Sequence, residues 1–363
     1  MDYLRYYLGA GIVCAGIAGF SLGGYWVWSG FATYLILLLI DLVLKPDLRP
    51  RQINMPWLAD IPLYLHLFLM VALYGAFFHW ASFVTENGSI PVINIIGAVL
   101  SLGWLGAVPN LPINHELMHR RNPLARTFAT ILGTFYMDPT RDVAHVHTHH
   151  IHLGTPKDSD TARRGETIYT FAFRATIGSF KDFIEIEKSL CEKKNQSFFS
   201  PIGRFFRAIL QVSLLIGLAG WFGGAIAILI SILAIFTAKM FVEAFNYFQH
   251  YGLVRVEGTP YDSQHIWNHL TPINRMIAFE ITNHNDHHMD AFAPYYTLQP
   301  HPAGPQMPSI LLCFLAGLVP PIWFKYIAKP RLKNWDFEHA TNGEKKLAQE
   351  ANRKAGWPDW ISE

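Results

Sequence analysis

At 363 residues, 51% hydrophobic and only 15% charged, the chain is too apolar for an ordinary soluble enzyme, where about a quarter of residues carry charge. Its net charge of +2 gives no sign of nucleic-acid binding, and its three cysteines, Cys14, Cys191 and Cys313, lack the paired spacing of an iron–sulfur or structural zinc site. Uncharged stretches run from Tyr6 to Ile40, Ile61 to Thr85, Asn87 to His115 and Ala208 to Ala238. A bilayer core takes about 20 helical residues. The first stretch therefore needs a turn, offered by Gly23-Gly24 and Ser29-Gly30, and the last divides at Gly220–Gly224. The expectation is an all-α integral membrane protein with six spans, near 5–25, 29–45, 62–84, 92–113, 203–220 and 224–247. No cleavable signal peptide is expected, because the first apolar segment is long and has no basic start.

The turns near 21–30, 85–91 and 219–225 contain no Lys or Arg, whereas Lys45, Arg49, Arg51 and a dense basic supply from Arg120 to Arg207 lie on the other side. The positive-inside rule then puts both termini in the cytoplasm, with the regions 114–202 and 248–307 and the tail 328–363, of a bacterial-type inner membrane. The basic residues read as topology determinants. Residues 178–195 have the pattern of an amphipathic cytoplasmic helix. The apolar segment 309–327 is nearly long enough to span, but Pro320-Pro321 would break it, so an interfacial or re-entrant course is expected within one domain, 1–363. No internal repeat stands out, and Gly9-Ala10-Gly11 is no dinucleotide fingerprint, because Cys14 replaces the third glycine and no strand precedes it. Redox chemistry would need electrons from another protein.

The chemistry lies in the histidines. Four clusters carry them: Asn114–His119, His145–His152, Asn246–Gly252 and His284–His288. Neutral imidazole binds iron, zinc or copper, and one ion takes three or four protein ligands, so nine or more clustered rings suit two ions. His115 and His119, four apart, share a helix face beyond the fourth span, and His250 ends the sixth on the same side of the membrane. His145 and His149 form such a pair, with His150 turned to a second ion; His284, His287 and His288 repeat this with an i, i+3 pair. Beside a bilayer, two such ions point to oxygen chemistry on an apolar substrate. His66, His79, His265, His269, His301 and His339 read as ordinary surface or core histidines, while His147 and His152 fall outside the repeated spacing. His115-Glu116-x-x-His119 also matches a zinc-protease motif with Glu116 as base, which would leave seven spaced histidines idle. A metal transporter would place its ligands near the bilayer midplane rather than on one side.

In this order the four motifs resemble the histidine-rich membrane di-iron oxygenases that include alkane hydroxylases and fatty-acid desaturases. Asn246-Tyr247-x-x-His250-Tyr251-Gly252, the three residues between His145 and His149, Thr155-Pro156-x-Asp158 and Gly165–Tyr169 are similar to the hydroxylase branch. Gln249, where alkane hydroxylases usually have Glu, looks like the xylene-monooxygenase type of hydroxylase. So do Glu280–His284, His115–Arg121, Lys354–Pro358 and the opening Leu4–Leu8 and Gly23–Trp28.

That resemblance implies nine ligands, His115, His119, His145, His149, His150, His250, His284, His287 and His288, holding two irons in a cytoplasmic cap on the bundle. It implies O₂-dependent hydroxylation of the methyl group of toluene- or xylene-like hydrocarbons, with electrons from a separate NADH-dependent reductase. The alternative within the family is terminal hydroxylation of alkanes. Imidazole ligands commonly hydrogen-bond a carboxylate through the other nitrogen, and Glu116, Asp142, Asp158, Glu243 and Asp286 are the candidates. Glu243 either supports His250 or pairs with Lys239 four residues earlier. Trp104, Phe241 and Phe245 are candidates for the substrate pocket, against the commoner role of packing.

Overall fold

A computed structural model describes residues 2–88 and 90–362. Helices supply the architecture, and the described residues contain no strand beyond one isolated bridge between Asn268 and Gln306. A short 3₁₀ turn leads into α1 (Tyr7–Leu22), and a tight turn returns the chain into α2 (Ser29–Val43). Gly23 and Gly24 take φ of +68° and +55°, a region that penalises other residues. α3 (Pro56–Asn87) and α4 (Val92–Ala107) follow, and α4 stops at Val108-Pro109, where the proline supplies no amide donor to continue it. α5 (Asn110–His119) and α6 (Pro123–Gly133) succeed it. A short α7 (Arg141–Ala144) runs into a π-helical stretch, His145–His149, and α8 (His150–His152). α9 (Ile168–Lys193) lengthens the expected amphipathic helix toward its N-terminus, with Thr167 as its cap.

The next helix, α10 (Arg204–His250), is 47 residues long, about 70 Å at the α-helical rise and more than twice a bilayer core. Gly224 interrupts it with φ of +69°, so the break expected at Gly220–Gly224 is present. Five helical segments among the described residues are long and apolar enough to cross a membrane: Asp2–Leu22, Gly24–Val43, Pro56–Glu86, Val92–His119 and Arg204–His250. The protein is a multi-pass membrane protein. Exposed Leu39, Phe68, Leu229 and Phe236 give these segments apolar outer faces. Inside, small residues let backbones close up: a Cβ on Gly103 would come within 2.6 Å of Thr237 Cγ2, which fixes how tightly α4 lies on α10.

After α10 the chain builds the cap. α11 (Pro272–Ile277) and α12 (His284–Met289) flank a turn in which Phe279 and Glu280 both have positive φ. Glu280 is fully buried and accepts from Arg275 at 2.5 Å, Arg51 at 2.6 Å, and Tyr6 and Asn283 at 3.1 Å. Two guanidinium charges offset the cost of burying this carboxylate, and the network pins the α12 segment to the N-terminal end of the bundle. The apolar stretch 309–327 is interrupted as its prolines require: α13 (Ile310–Gly317) and α14 (Pro320–Ile322) are separate pieces, followed by a π-helical turn, Trp323–Ala328. Finally α15 (Lys329–Glu338) and α16 (Asn342–Lys354) fold back over the cap. Arg164 clamps them, donating to Asp336 at 2.6 and 2.7 Å and to Asn352 at 2.9 Å, while Trp360 Nε1 reaches Asp336 at 2.7 Å.

Candidate metal centre

Four segments bring their histidines to one place. α5 is buried along its whole length, and its amides hold it from within. Asn110 Nδ2 donates to the carbonyls of Gly106 and Leu132, and Asn114 Nδ2 to that of Ala129. His115 and His119 therefore project from a fixed face. The π-helical stretch supplies the second set. Its wider turn closes i to i+5 rather than i to i+4, so His145 and His150 come together, with Nε2 atoms 3.1 Å apart, and His149 points elsewhere. This corrects the expected pairing of His145 with His149. In α12, ordinary α geometry pairs His284 with His288, Nε2 to Nε2 3.2 Å, and turns His287 away, so the expected i, i+3 pair is also corrected. His250 closes the cluster from the end of α10.

Two groups result. His115, His119, His145, His150 and His287 form one; His149, His250, His284 and His288 form the other; within each, the ligand nitrogens all lie within 4.8 Å of one another. Nε2 of His115 and His145 are only 2.8 Å apart. Donor separations of 2.8–3.2 Å match neighbouring positions around an ion with metal–nitrogen bonds of about 2.0–2.1 Å, and two lone pairs so close need a proton or a cation between them. His119 Nε2, His287 Nε2 and both nitrogens of His250 are buried with no protein hydrogen-bond partner. Burial, reinforced by the neighbouring rings, holds His145, His150, His284, His287 and His288 well below the usual imidazole range, so they stand neutral with free lone pairs. Such a donor set fits first-row metal ions.

The fatty acid desaturase family profile matches residues 89–303, more than half of the chain and all four histidine-bearing segments. The chain belongs to the fatty acid desaturase family. Within it, the chain is 48% identical over 363 residues to the xylene/toluene monooxygenase hydroxylase component XylM of Pseudomonas putida, covering 99% of this chain and 97% of that one. It is 30% identical over 275 residues to the alkane 1-monooxygenase of Ectopseudomonas oleovorans, covering 71% and 66% of the two chains. With alkane 1-monooxygenase 2 of Alcanivorax borkumensis the figures are 26% over 326 residues, 85% and 83%. The protein is a membrane monooxygenase of the hydroxylase type, and its histidine clusters make a non-haem iron site.

Among the five carboxylates considered from the sequence, Asp158 alone reaches a ring of this desaturase-family centre. It accepts from His149 Nδ1 at 3.0 Å, and from Thr161 Oγ1 and the Asp160 amide. Burial works against both charges, yet the pair prevails: His149 is held above and Asp158 below its ordinary value. The other four are committed elsewhere. Glu116 accepts from Arg120 at 2.6 Å, which also removes it as the base of a zinc protease. Asp142 is paired with Arg204, and Asp286 with His301 at 3.0 Å. Glu243 takes the ion pair with Lys239, at 2.7 Å, rather than a contact with His250.

The remaining histidines lie outside both groups. His66 meets Asn110 at 3.2 Å, His265 meets Glu344 at 2.5 Å and His269 meets the Pro308 carbonyl at 2.6 Å. His79 and His147 are exposed, and His152 and His339 half-exposed. Of the three aromatic residues named for the pocket, Trp104 and Phe241 pack on one another and on Phe314, in the core. Phe245 does face the centre. It shares a small cavity of about 10 Å³ with Leu111, Pro112, Ile281, Arg141, Asn246 and Gln249, closed by His115, His145 and His284. Arg141 went unremarked in the sequence because it sits in a basic stretch; here it is 3% exposed beside the clustered histidines, not a surface topology determinant. Its place one helical turn before His145 is the signal that could have found it.

Proposed function

We propose that the nine histidines hold two irons and that the chain hydroxylates the methyl group of toluene- or xylene-like hydrocarbons with O₂. A separate NADH-dependent reductase supplies the electrons. The observation that carries the reading is the meeting of two buried imidazole groups beside a small cavity with one apolar side, in a chain 48% identical to a xylene/toluene monooxygenase hydroxylase component. When bound, the irons supply the reduction of O₂ and the attack on the C–H bond. The chain's own residues do the rest. Neutral rings donate lone pairs, and Asp158 fixes the tautomer of His149 by taking its Nδ1 proton in a hydrogen bond. Leu111, Pro112, Phe245 and Ile281 give one side of the cavity an apolar wall against which a hydrocarbon can pack, opposite the polar side formed by Arg141, Asn246 and Gln249. A room of about 10 Å³ admits a water-sized molecule and no aromatic ring, so this wall must yield when substrate enters from the lipid.

The topology that goes with this reading has six spans, with Gly224 dividing α10 into two, and places both termini and all histidines in the cytoplasm of a bacterial-type inner membrane. It is supported by the lysine- and arginine-free turns at 21–30, 85–91 and 219–225. A reporter fused to the C-terminus should read cytoplasmic; a periplasmic signal would overturn the arrangement. For the chemistry, purified protein should carry two irons per chain and, with reductase and NADH, turn toluene and p-xylene into benzylic alcohols. The second reading, terminal alkane hydroxylation, is favoured by the alkane monooxygenase relatives. It takes over if octane yields 1-octanol clearly faster than toluene yields benzyl alcohol.

A further inference from the structure

Arg141 is the most conspicuous buried group that ligand geometry does not explain. Its guanidinium lies among three carboxylates, 3.5 Å from Asp138, 3.7 Å from Asp160 and 3.8 Å from Glu243, each too far or too poorly aligned for a hydrogen bond. Asp138 and Glu243 are instead taken by Lys239, at 2.6 and 2.7 Å. Nε and Nη1 of Arg141 are left buried with no hydrogen-bond partner in the protein, although Nη1 stays within ion-pair distance of Asp138 and Glu243. A buried donor on a charged group is costly to leave without a hydrogen bond, so two on one guanidinium call for a ligand.

Arg141 is also a wall shared by two cavities. One is the cavity at His115, His145 and His284. The other, also of about 10 Å³, is enclosed by Asn114, Met118, Ala129, Thr130, Asp138 and Asp142. Each has the volume of a single water-sized guest. Unmatched polar atoms recur along the same line: Asn114 Oδ1 borders the outer cavity, His145 and His284 Nδ1 belong to rings of the inner one, and the Tyr136 hydroxyl neighbours Arg141. The outer cavity ends on Asp142, whose partner Arg204 is partly open to solvent at 30% exposure.

We infer that the two cavities on either side of Arg141 form a hydrated passage that carries water and protons between the Asp142–Arg204 surface and the histidine centre. The inference rests on the monooxygenase reading, which creates the need for it. Hydroxylation of one C–H bond follows RH + O₂ + 2 e⁻ + 2 H⁺ → ROH + H₂O; the reductase provides the electrons, and two protons must still reach the centre while one water leaves. Arg141, donor-only and permanently charged, orients the water on both sides and relays no proton itself; Asp138, Asp160 and Glu243 beside it balance the charge that would otherwise repel protons moving through the water around it.

The test uses full-length protein in nanodiscs, loaded with Mn²⁺, and water-proton NMR relaxation as the measure of exchange between bulk and centre. Metal content is measured first, so that failure to load counts against the metal site and not the passage. Ala129→Val, which fills the outer cavity without altering a charge, should lower the paramagnetic relaxation enhancement at least twofold with metal content unchanged. Arg141→Met should lower it further, and Arg141→Lys should restore part of it. With iron and reductase, the same variants should divert NADH from alcohol to hydrogen peroxide and raise the solvent deuterium isotope effect. Ala129→Val decides the matter if Arg141→Met fails to fold. Normal enhancement and a normal isotope effect in fully loaded Ala129→Val and Arg141→Lys would overturn the inference.

Discussion

Five imidazoles make up one histidine group and four the other, and carboxylate support is divided unequally between them. His149, in the group of four, donates to Asp158. Among the described residues no carboxylate is hydrogen-bonded to any ring of the group of five. The smaller group thus makes up in ligand basicity what it lacks in number, since a carboxylate behind an imidazole strengthens its donor nitrogen. In the proposed two-iron reading, ions held by such different means need not share one affinity or one reduction potential.

The largest effect should come from deleting ligands. His149→Ala leaves three imidazoles in its group and removes the partner of Asp158, whereas His287→Ala leaves four in the other. Both should abolish oxygenation, with the greater loss of iron in His149→Ala, and His339→Ala should keep full iron by elemental analysis. Greater loss from His287→Ala would mean that ligand number does not rank the two groups. Next, Asp158→Asn should weaken iron binding by about 10–100-fold in one of two titration steps, and Asp286→Asn, whose carboxylate meets His301 and the Gln299 amide but no ring of the centre, in neither. If both steps weaken alike, the asymmetry is not electronic.

Acid should act on the metal-free protein in a direction set by the ring environments. His145, His150, His284, His287 and His288 are held below their unfolded value by burial, so the unfolded chain binds more protons as the pH falls through about 6.5. Stability is full above that pH and declines below it, by up to about 1.4 kcal/mol per ring and pH unit. His149, held above its ordinary value, contributes the opposite slope. Thermal unfolding between pH 7.5 and 5 should therefore fall faster with acid in wild type than in His287→Gln. The smallest effect is expected from Phe245→Leu, which widens the cavity wall between the groups: p-xylene should gain on toluene by tenfold or less in competitive turnover.

The long apolar helices, and the gathering of nine histidines, were legible in the sequence because each depends on local information: apolar length, and imidazoles spaced for helix faces. The division of the rings between groups was not. His145, His149 and His150 follow a π-helical turn, and spacing arguments that assume an α-helix pair the wrong two. The carboxylates were legible only as a set. Asp142, Glu116 and Glu243 found Arg204, Arg120 and Lys239, two of these partners four residues away and one 62, and which cation reaches a carboxylate first is decided by packing. Arg141 was hidden for the same reason, since burial cannot be read from a charge within a basic stretch.

The Arg164 clamp has a consequence for assembly. Every imidazole of the centre is translated by residue 288, whereas Asp336, Asn352 and Trp360 emerge later. Until they are added Arg164 has no counterion, so the tail can be fixed in place only after all nine clustered rings are already in the chain.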